Sequence, residues 1–452
     1  MDDAVLLEFA RQGVETLAQA DPRLYELLLG EYRRQTETLT LVAASSVADP
    51  SVLACSGAVL NNVTTEGYPG ARYHGGCTFA DEIERLAVER AKQVFGAAYA
   101  NVQPHSGSSA NHIVIFSLLR PGDRILGLDL DSGGHLTHGS RASVVGQYFE
   151  TKGYGLDEDG FLDYDRIRAL AHEFRPKLLI GGSSAYPRAI DFRRLREIAD
   201  EVGAFFLADI SHVAGLVAAG LHPSPVDHAH FTTTSTYKQL YGPRGGLILI
   251  GRDHDRPLPN GRTLAEAVQS ATFPFYQGTP NLGAVAAKAR ALAGVATPEF
   301  RARMGRVVTS ASSLAASLAG AGYRVLTGGT DNHMVVVDLD PAGLTGVVAE
   351  RALEECAIVV NKNRIPGDRR SPLVTSGLRL GTNHTALRGM GEREMPACAE
   401  LLDRVLAAVR PTGDRAYQLP GGVREAVREE VRRTCERFPI PSYPQALSGV
   451  AG

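Results

Sequence analysis

Apolar residues recur at three-and-four spacing in LLEFARQGVETLAQA and again in RLYELLLGEYRRQTETL, and this period predicts a helical arm over residues 1–46. From 47 to 290 the pattern changes. Short, nearly continuous apolar runs (RILGLDL, KLLIGG, AFFLADI, GGLILIG) alternate with amphipathic stretches of helical period. Runs of that length suit strands buried on both faces, so the alternation predicts a large α/β domain with a mainly parallel sheet covered by helices. From 291 to 452 the Ala- and Arg-rich helix FRARMGRVVTSASSLAASLAGAG, the strands YRVLTG and HMVVVDLD and further helices predict a smaller α+β domain. The stretch NKNRIPGDRRSP (361–372) is polar and rich in Gly and Pro, and reads as a functional loop.

Composition removes several classes of function. The 452 residues are 44% hydrophobic and 21% charged, an ordinary globular balance, and the net charge of -3 offers no footprint for nucleic acid or an acidic membrane. Cys55, Cys77, Cys356, Cys398 and Cys435 are odd in number and form no CxxC pair, which argues against a disulfide framework or a zinc site. The start MDDAVLLEFARQG lacks the basic opening and long apolar core of a signal peptide, and no apolar run is long enough to span a bilayer. A cytoplasmic protein with no bound metal is expected.

Candidate chemistry lies where apolar strands give way to polar residues, since ligands of parallel sheets sit at strand carboxyl ends. In FTTTSTYKQLYGPRGG a run of hydroxyl residues leads into Lys238. A lysine that forms a Schiff base needs a desolvated setting that lowers its amine pKa, with hydroxyls nearby for an anionic cofactor. In FFLADISHVAGL, Asp209 ends an apolar run 29 residues earlier, placed to pair with a pyridinium nitrogen, and His212 follows one turn on. In NVQPHSGSSANHIVIF, Ser106, Gly107 and Ser108 precede a helix-like run, which suits a phosphate held at a helix N-terminus. Each piece has a bland reading: a surface lysine, a helix cap, an ordinary serine N-cap. Together they form a site for pyridoxal 5'-phosphate (PLP).

The stretches EGYPGARYHGG, FGAAYANVQPHSGSSAN, GGHLTHGS, HVAGLVAAGLHPSPVDHAH, GPRGGLILIG, GGTDNHMV and VTSGLRLGT extend this reading. Through them the chain resembles the serine hydroxymethyltransferase family of fold-type I PLP enzymes, from about residue 35 to 440. The resemblance implies a seven-stranded large-domain sheet. It implies that Lys238 carries the cofactor, that Asp209 pairs with its ring nitrogen and that His135 stacks on the ring. It further implies that Ser106, Gly107 and Ser108 bind the phosphate, with Gly278 contributed by a neighbouring subunit. Ser184, His212 and Tyr237 fall near the cofactor, Arg379 matches the clamp for a substrate carboxylate, and Glu66 matches a carboxylate that reaches across a dimer interface to transfer a proton. A homodimer follows, with a tetramer left open. His105 and His138 read as structural, while His74 is a candidate substrate contact.

Departures from the family pattern cluster around the substrate. Where the family has a serine that contacts the carboxylate the chain has Ala44; where it has two active-site tyrosines the chain has Thr64 and His74. Tyr237 replaces a histidine, Ser132 another, and Phe275-Tyr276-Gln277-Gly278-Thr279 replaces a glycine-rich loop. Tetrahydrofolate is an open expectation: Gly134, Leu136, Tyr73, Glu66 and Asn363 match pterin-binding positions, while Arg364 stands where a small residue is usual. The leading expectation is an enzyme that makes or breaks the Cα–Cβ bond of a β-hydroxy-α-amino acid with changed specificity, such as a threonine aldolase or transaldolase using an aldehyde partner. The alternatives are a true serine hydroxymethyltransferase using folate, another PLP reaction at Cα (decarboxylation, transamination, racemisation), and a non-catalytic regulatory paralogue.

Overall fold

The computed structural model describes residues 4–444. Met1–Asp3 and residues 445–452, which belong to the expected arm and C-terminal unit, lie outside the described residues.

The apolar runs become the inner strands of one seven-stranded sheet: β1 (Tyr99–Asn101), β2 (Arg124–Leu128), β3 (Glu150–Tyr154), β4 (Leu178–Gly182), β5 (Phe205–Asp209), β6 (Phe231–Ser235) and β7 (Gly246–Ile250). The spatial order is β1-β7-β6-β5-β4-β2-β3. The β3/β2/β4/β5/β6 ladder is parallel throughout, and β7 alone runs against its neighbours, pairing Gly246 with Ser235 on one side and Ile248 with Asn101 on the other. Alternation with period two splits the strand residues between two cores. Leu126, Leu179, Phe206 and Leu247 pack on one face of the sheet; Ile125, Leu178, Ile180, Leu207 and Ile248 pack on the other.

Strand β6 is the one whose sequence hides it. FTTTS looks like a polar linker, yet all five residues are buried. Threonine is β-branched and favours extended backbone, and the hydroxyls are partly satisfied inside: Thr233 Oγ1 donates to Asn111 Oδ1 at 2.5 Å and Thr234 Oγ1 to the Ser235 carbonyl at 2.8 Å.

A second core forms around a four-stranded sheet, with Arg324–Val325, Met334–Asp338, Gly377–Gly381 and Asn361–Asn363 in that spatial order. The sequence led us to expect one loop over 361–372. Its first three residues instead pair with Gly377–Gly381 as an edge strand, Asn361 opposite Arg379. The helix Pro298–Gly320 starts where its signals place it, with Thr297 accepting from the Phe300 N–H at 3.2 Å and Pro298 in the first turn. At the N-terminus two helices, Val5–Ala20 and Pro22–Glu37, contain no buried residue. They lead into Leu39–Thr40, which pairs in parallel with Ile358–Val359. No helix among the described residues is long and apolar enough to cross a membrane.

Candidate active site

Because the strands run parallel, their carboxyl ends share one edge of the sheet, and the segments that leave them converge. Ser106 follows β1, His135 follows β2, Ser184 follows β4, Asp209 closes β5 and Lys238 follows β6. Around a cavity of about 260 Å³ the structure brings together Ser106, Gly107, Ser108, His135, Ser184, Asp209, His212, Tyr237 and Lys238. A larger open groove of about 690 Å³, between β1 and the helix Thr78–Phe95, contains none of them.

Asp209 is buried, and burial by itself works against its charge. The hydrogen bond from His138 Nε2 at 3.2 Å and the Ser211 N–H at 3.0 Å outweigh it, so the carboxyl stays well below the usual carboxylate range. Asn111 Nδ2 donates a further bond at 2.8 Å. The tautomer of His138 follows from its other nitrogen: Nδ1 accepts the His135 backbone N–H at 3.3 Å, so the proton sits on Nε2 and points to Asp209. Lys238 is 7% exposed, and burial pushes its amine down to about 8 against the opposing pull of Asp209. His135 is pushed down to about 4, mainly by burial, which keeps the ring neutral. His212 is lowered well below its ordinary value by burial and by the charges of Lys238 and Arg379, and its ring stacks on His333 at 5.8 Å. His135, His138 and Asp209 each present a ligand-type atom within 4.8 Å of one another. They are the one group of that kind among the described residues, and they belong to this same cavity.

The residues fit PLP at each end. Ser106 caps the helix Gly107–Leu118 through its Oγ, which accepts from Ser109 N at 3.0 Å, while its carbonyl accepts from Ala110 N. The N–H groups of Gly107 and Ser108 remain for an anion, as the first turn of a helix always leaves some. A Cβ on Gly107 would lie 3.1 Å from Ser235 Cβ and 3.3 Å from Ser211 Oγ, so any larger residue would crowd that cradle. Ser235 Oγ and His212 Nδ1 are buried without a hydrogen-bond partner among the described residues. A phosphate, an ionised ring partner, a neutral stacking ring and a lysine of lowered pKa are what such a cofactor requires.

None of the expected substrate groups lines this cavity. Arg379 stands on Gly377–Gly381 and is pushed down to about 10 by burial. Its Nε donates to Asn361 Oδ1 at 3.2 Å and its Nη1 to the carbonyl of Ser184, tying the smaller sheet to the cavity wall. Asn363 donates to the Arg364 carbonyl at 2.5 Å, and Arg364 itself is engaged by Asp131 at 2.7 Å and the Asp368 carbonyl at 2.8 Å. Ala44 is half-buried. Thr64, His74 and Gly278 are exposed; Glu66 is half-buried, with His74 Nε2 3.2 Å from its Oε2. None of these four lines the cavity of its own chain.

Asn111, Ser211, Ser235 and the cavity-lining His105 were not assigned to the site from the sequence, and two further contributors also escaped it. His138 read as structural, and its contact with Asp209 depends on two segments 71 residues apart. Arg244, in the turn after β6, lies 4.2 Å over the Tyr237 ring and lines the cavity. The spacing Tyr-Lys-x5-Arg in TYKQLYGPRGG was the available signal for it.

Comparison with known proteins agrees with this geometry. A family model described as serine hydroxymethyltransferase matches residues 17–402. A protein named serine hydroxymethyltransferase from Rhodopseudomonas palustris (strain HaA2) is 48% identical over 426 residues, which are 94% of this chain and 96% of that one.

Proposed function

The chain belongs to the serine hydroxymethyltransferase family of fold-type I, PLP-dependent transferases, and from that premise we propose that it interconverts serine and glycine with tetrahydrofolate as the one-carbon acceptor. This is the folate-using alternative of the sequence reading. Near-complete alignment at 48% identity with a protein of that name favours it over the changed-specificity expectation. The observation that carries the chemistry is the buried Asp209–Lys238 pair at the ends of adjacent parallel strands.

When bound, PLP supplies an electron sink for the bond broken at Cα. Lys238 provides the amine that holds it, and Asp209, fixed by His138 and Asn111, holds a proton on the ring nitrogen. Arg379 orients the amino acid. Its Nη2 has no protein acceptor among the described residues and is free for the substrate carboxylate, while Ser184 and Asn361 fix the plane of the guanidinium. Glu66, supplied from a second copy of the chain because its own cavity does not contain it, takes the proton of the Cβ hydroxyl as the Cα–Cβ bond breaks, the electron pair staying with Cα and the one-carbon unit leaving at the aldehyde level for the folate. Leu136 and Tyr73, 46% and 73% exposed, and the backbone beside Asn363 form the pterin surface.

A second reading survives on one observation. Thr64 and Ala44 are small, and His74 is spent on Glu66, so the substrate wall lacks the bulk that the resemblance led us to expect. An amino acid larger than serine at Cβ, or substituted at Cα, would fit there. The test is mass spectrometry of products from the PLP-loaded enzyme given serine, threonine or a Cα-methylated serine, with and without tetrahydrofolate. Glycine formed from serine only with folate supports the proposal. Turnover of another donor with serine inert overturns it in favour of the second reading.

A further inference from the structure

Glu66 enters a hairpin whose strands, Gly67–Tyr68 and Ala71–Arg72, are two residues each. Strands that short do not hold a fixed shape alone, so the direction of the Glu66 carboxylate must be set from elsewhere. Arg72 turns back under the hairpin with its side chain 4% exposed. Its Nη1 donates to the carbonyls of Thr65 and Gly67, both at 2.9 Å. The Tyr73 N–H donates to the carbonyl between them, that of Glu66, at 3.0 Å. Three consecutive carbonyls around Glu66 are thus held by residues 72 and 73. Gly67 permits the turn: its φ is +96°, and a Cβ there would lie 2.3 Å from the Ala71 carbonyl oxygen.

The guanidinium is anchored in turn. Nε donates to Asp81 at 2.8 Å and Nη2 to Glu84 at 2.5 Å, both on the helix Thr78–Phe95. Glu84 is 2% exposed, and its second oxygen accepts from Gln103 Nε2 at 2.8 Å. The same Gln103 nitrogen donates to the Gly67 carbonyl at 2.9 Å, and the other Asp81 oxygen accepts the Gly70 N–H at 2.7 Å. A buried ion pair is weak evidence for stability in itself. Here its geometry is specific: two N–H groups go to the backbone on either side of Glu66 and two go to carboxylates on the 18-residue helix Thr78–Phe95.

We propose that Arg72 is a positioning residue for Glu66, fixing through the Thr65 and Gly67 carbonyls the direction in which that carboxylate presents its proton. The inference rests on the reading of Glu66 as the proton carrier. Lysine cannot replace the arginine, since an ammonium is a point donor and cannot span two carbonyls and two carboxylates.

A double-mutant cycle on the PLP-loaded enzyme with Arg72→Lys and Glu66→Gln tests it, read as kcat, KM and the pH profile of kcat, with PLP affinity and the thermal midpoint measured alongside. Arg72→Lys is expected to lower kcat about 100-fold while KM and PLP affinity stay within about twofold. It is also expected to shift the pH limb that Glu66→Gln removes, and to add no further loss in the Glu66→Gln background. Losses that multiply, an unchanged kcat and pH profile, or a Glu66→Gln enzyme as active as the wild type each overturn the proposal. Where Arg72→Lys fails to fold, Glu84→Gln loosens the same guanidinium from its far side, with a smaller kcat loss that again vanishes in the Glu66→Gln background. A wild type that uses a donor other than serine overturns the function proposed above without touching the cycle, which is then run on that donor.

Discussion

Lys238 and Asp209 show how one buried pair can hold opposite protonation tendencies. Burial disfavours charge on both, and only one is compensated. Asp209 has the His138 and Asn111 donors and keeps its charge; for Lys238 burial outweighs the pull of Asp209 and, with smaller contributions from Arg379 and Arg244, lowers the amine from 10.5 to about 8. In the proposed function the free amine is the nucleophile that captures PLP. Uptake of PLP by the apoenzyme, followed by visible absorbance, is therefore expected to accelerate about tenfold per pH unit below about 8 and to level off above it, and to vanish in Lys238→Ala. The sign of the stability effect follows from the same shift. Between about 8 and 10.5 the unfolded chain binds the proton and the folded apoenzyme does not, so this lysine opposes folding in full below that window and the opposition fades as pH rises through it. Asp209→Asn tests the other partner. It keeps the shape, loses the charge, and is expected to weaken PLP binding by about 2–5 kcal/mol in an apoenzyme titration. An affinity equal to that of the wild type would mean that the ring nitrogen takes no support from Asp209.

The elements were legible where hydrophobic period alone decides them. AFFLADI and GGLILIG announce themselves as β5 and β7, and SGSSANHIVIF as a capped helix, because burial on both faces and an N-cap leave marks in adjacent residues. What the chain could not reveal depends on partners remote in sequence. The antiparallel sense of β7 leaves no trace in GGLILIG, and the strand FTTTS is disguised by hydroxyls satisfied elsewhere. Lys288 is the sharpest case. A lysine in an Ala-rich helix such as LGAVAAKARALAGV usually faces solvent. Lys288 is in fact 2% exposed, its ammonium donating to the carbonyls of Val102 at 2.6 Å and of Pro104 and Gly246 at 3.0 Å. Those carbonyls belong to the segment that leads to Ser106 and to the first residue of β7, so this one side chain ties the approach to Ser106 to the sheet. Lys288→Met fills the space but leaves three buried acceptors without their donor. It is expected to destabilise the apoenzyme by about 2–4 kcal/mol in denaturant unfolding, and to lower PLP affinity through displacement of Ser106. A variant as stable as the parent would show that the three carbonyls find other partners.

At the scale of the whole molecule, the cavity of one chain lacks the carboxylate that the proposed function assigns to proton transfer. The cavity with Lys238 and Asp209 opens at the carboxyl edge of the large sheet, while Glu66, Thr64, His74 and Gly278 are displayed elsewhere and line none of it. If a second copy supplies Glu66 to the cavity of the first, a two-fold symmetric dimer contains two composite sites, each built from both chains. Two inactive variants then rescue each other. A Lys238→Ala chain has a dead cavity but a working Glu66, and a Glu66→Gln chain has a working cavity but a dead carboxylate. Paired, they assemble one complete site and one doubly defective one. Random exchange at equal amounts places half of the protomers' cavities in mixed dimers, of which one in two is intact, so mixing is expected to restore about a quarter of the wild-type activity. Separately, each variant should stay near background. Recovery should appear only after subunits exchange, and it should fall on dilution below the dimer's dissociation constant. No recovery from chains that demonstrably exchange would mean that each chain completes its own site by folding Glu66 inward, and the dimer would then have no part in the proton transfer.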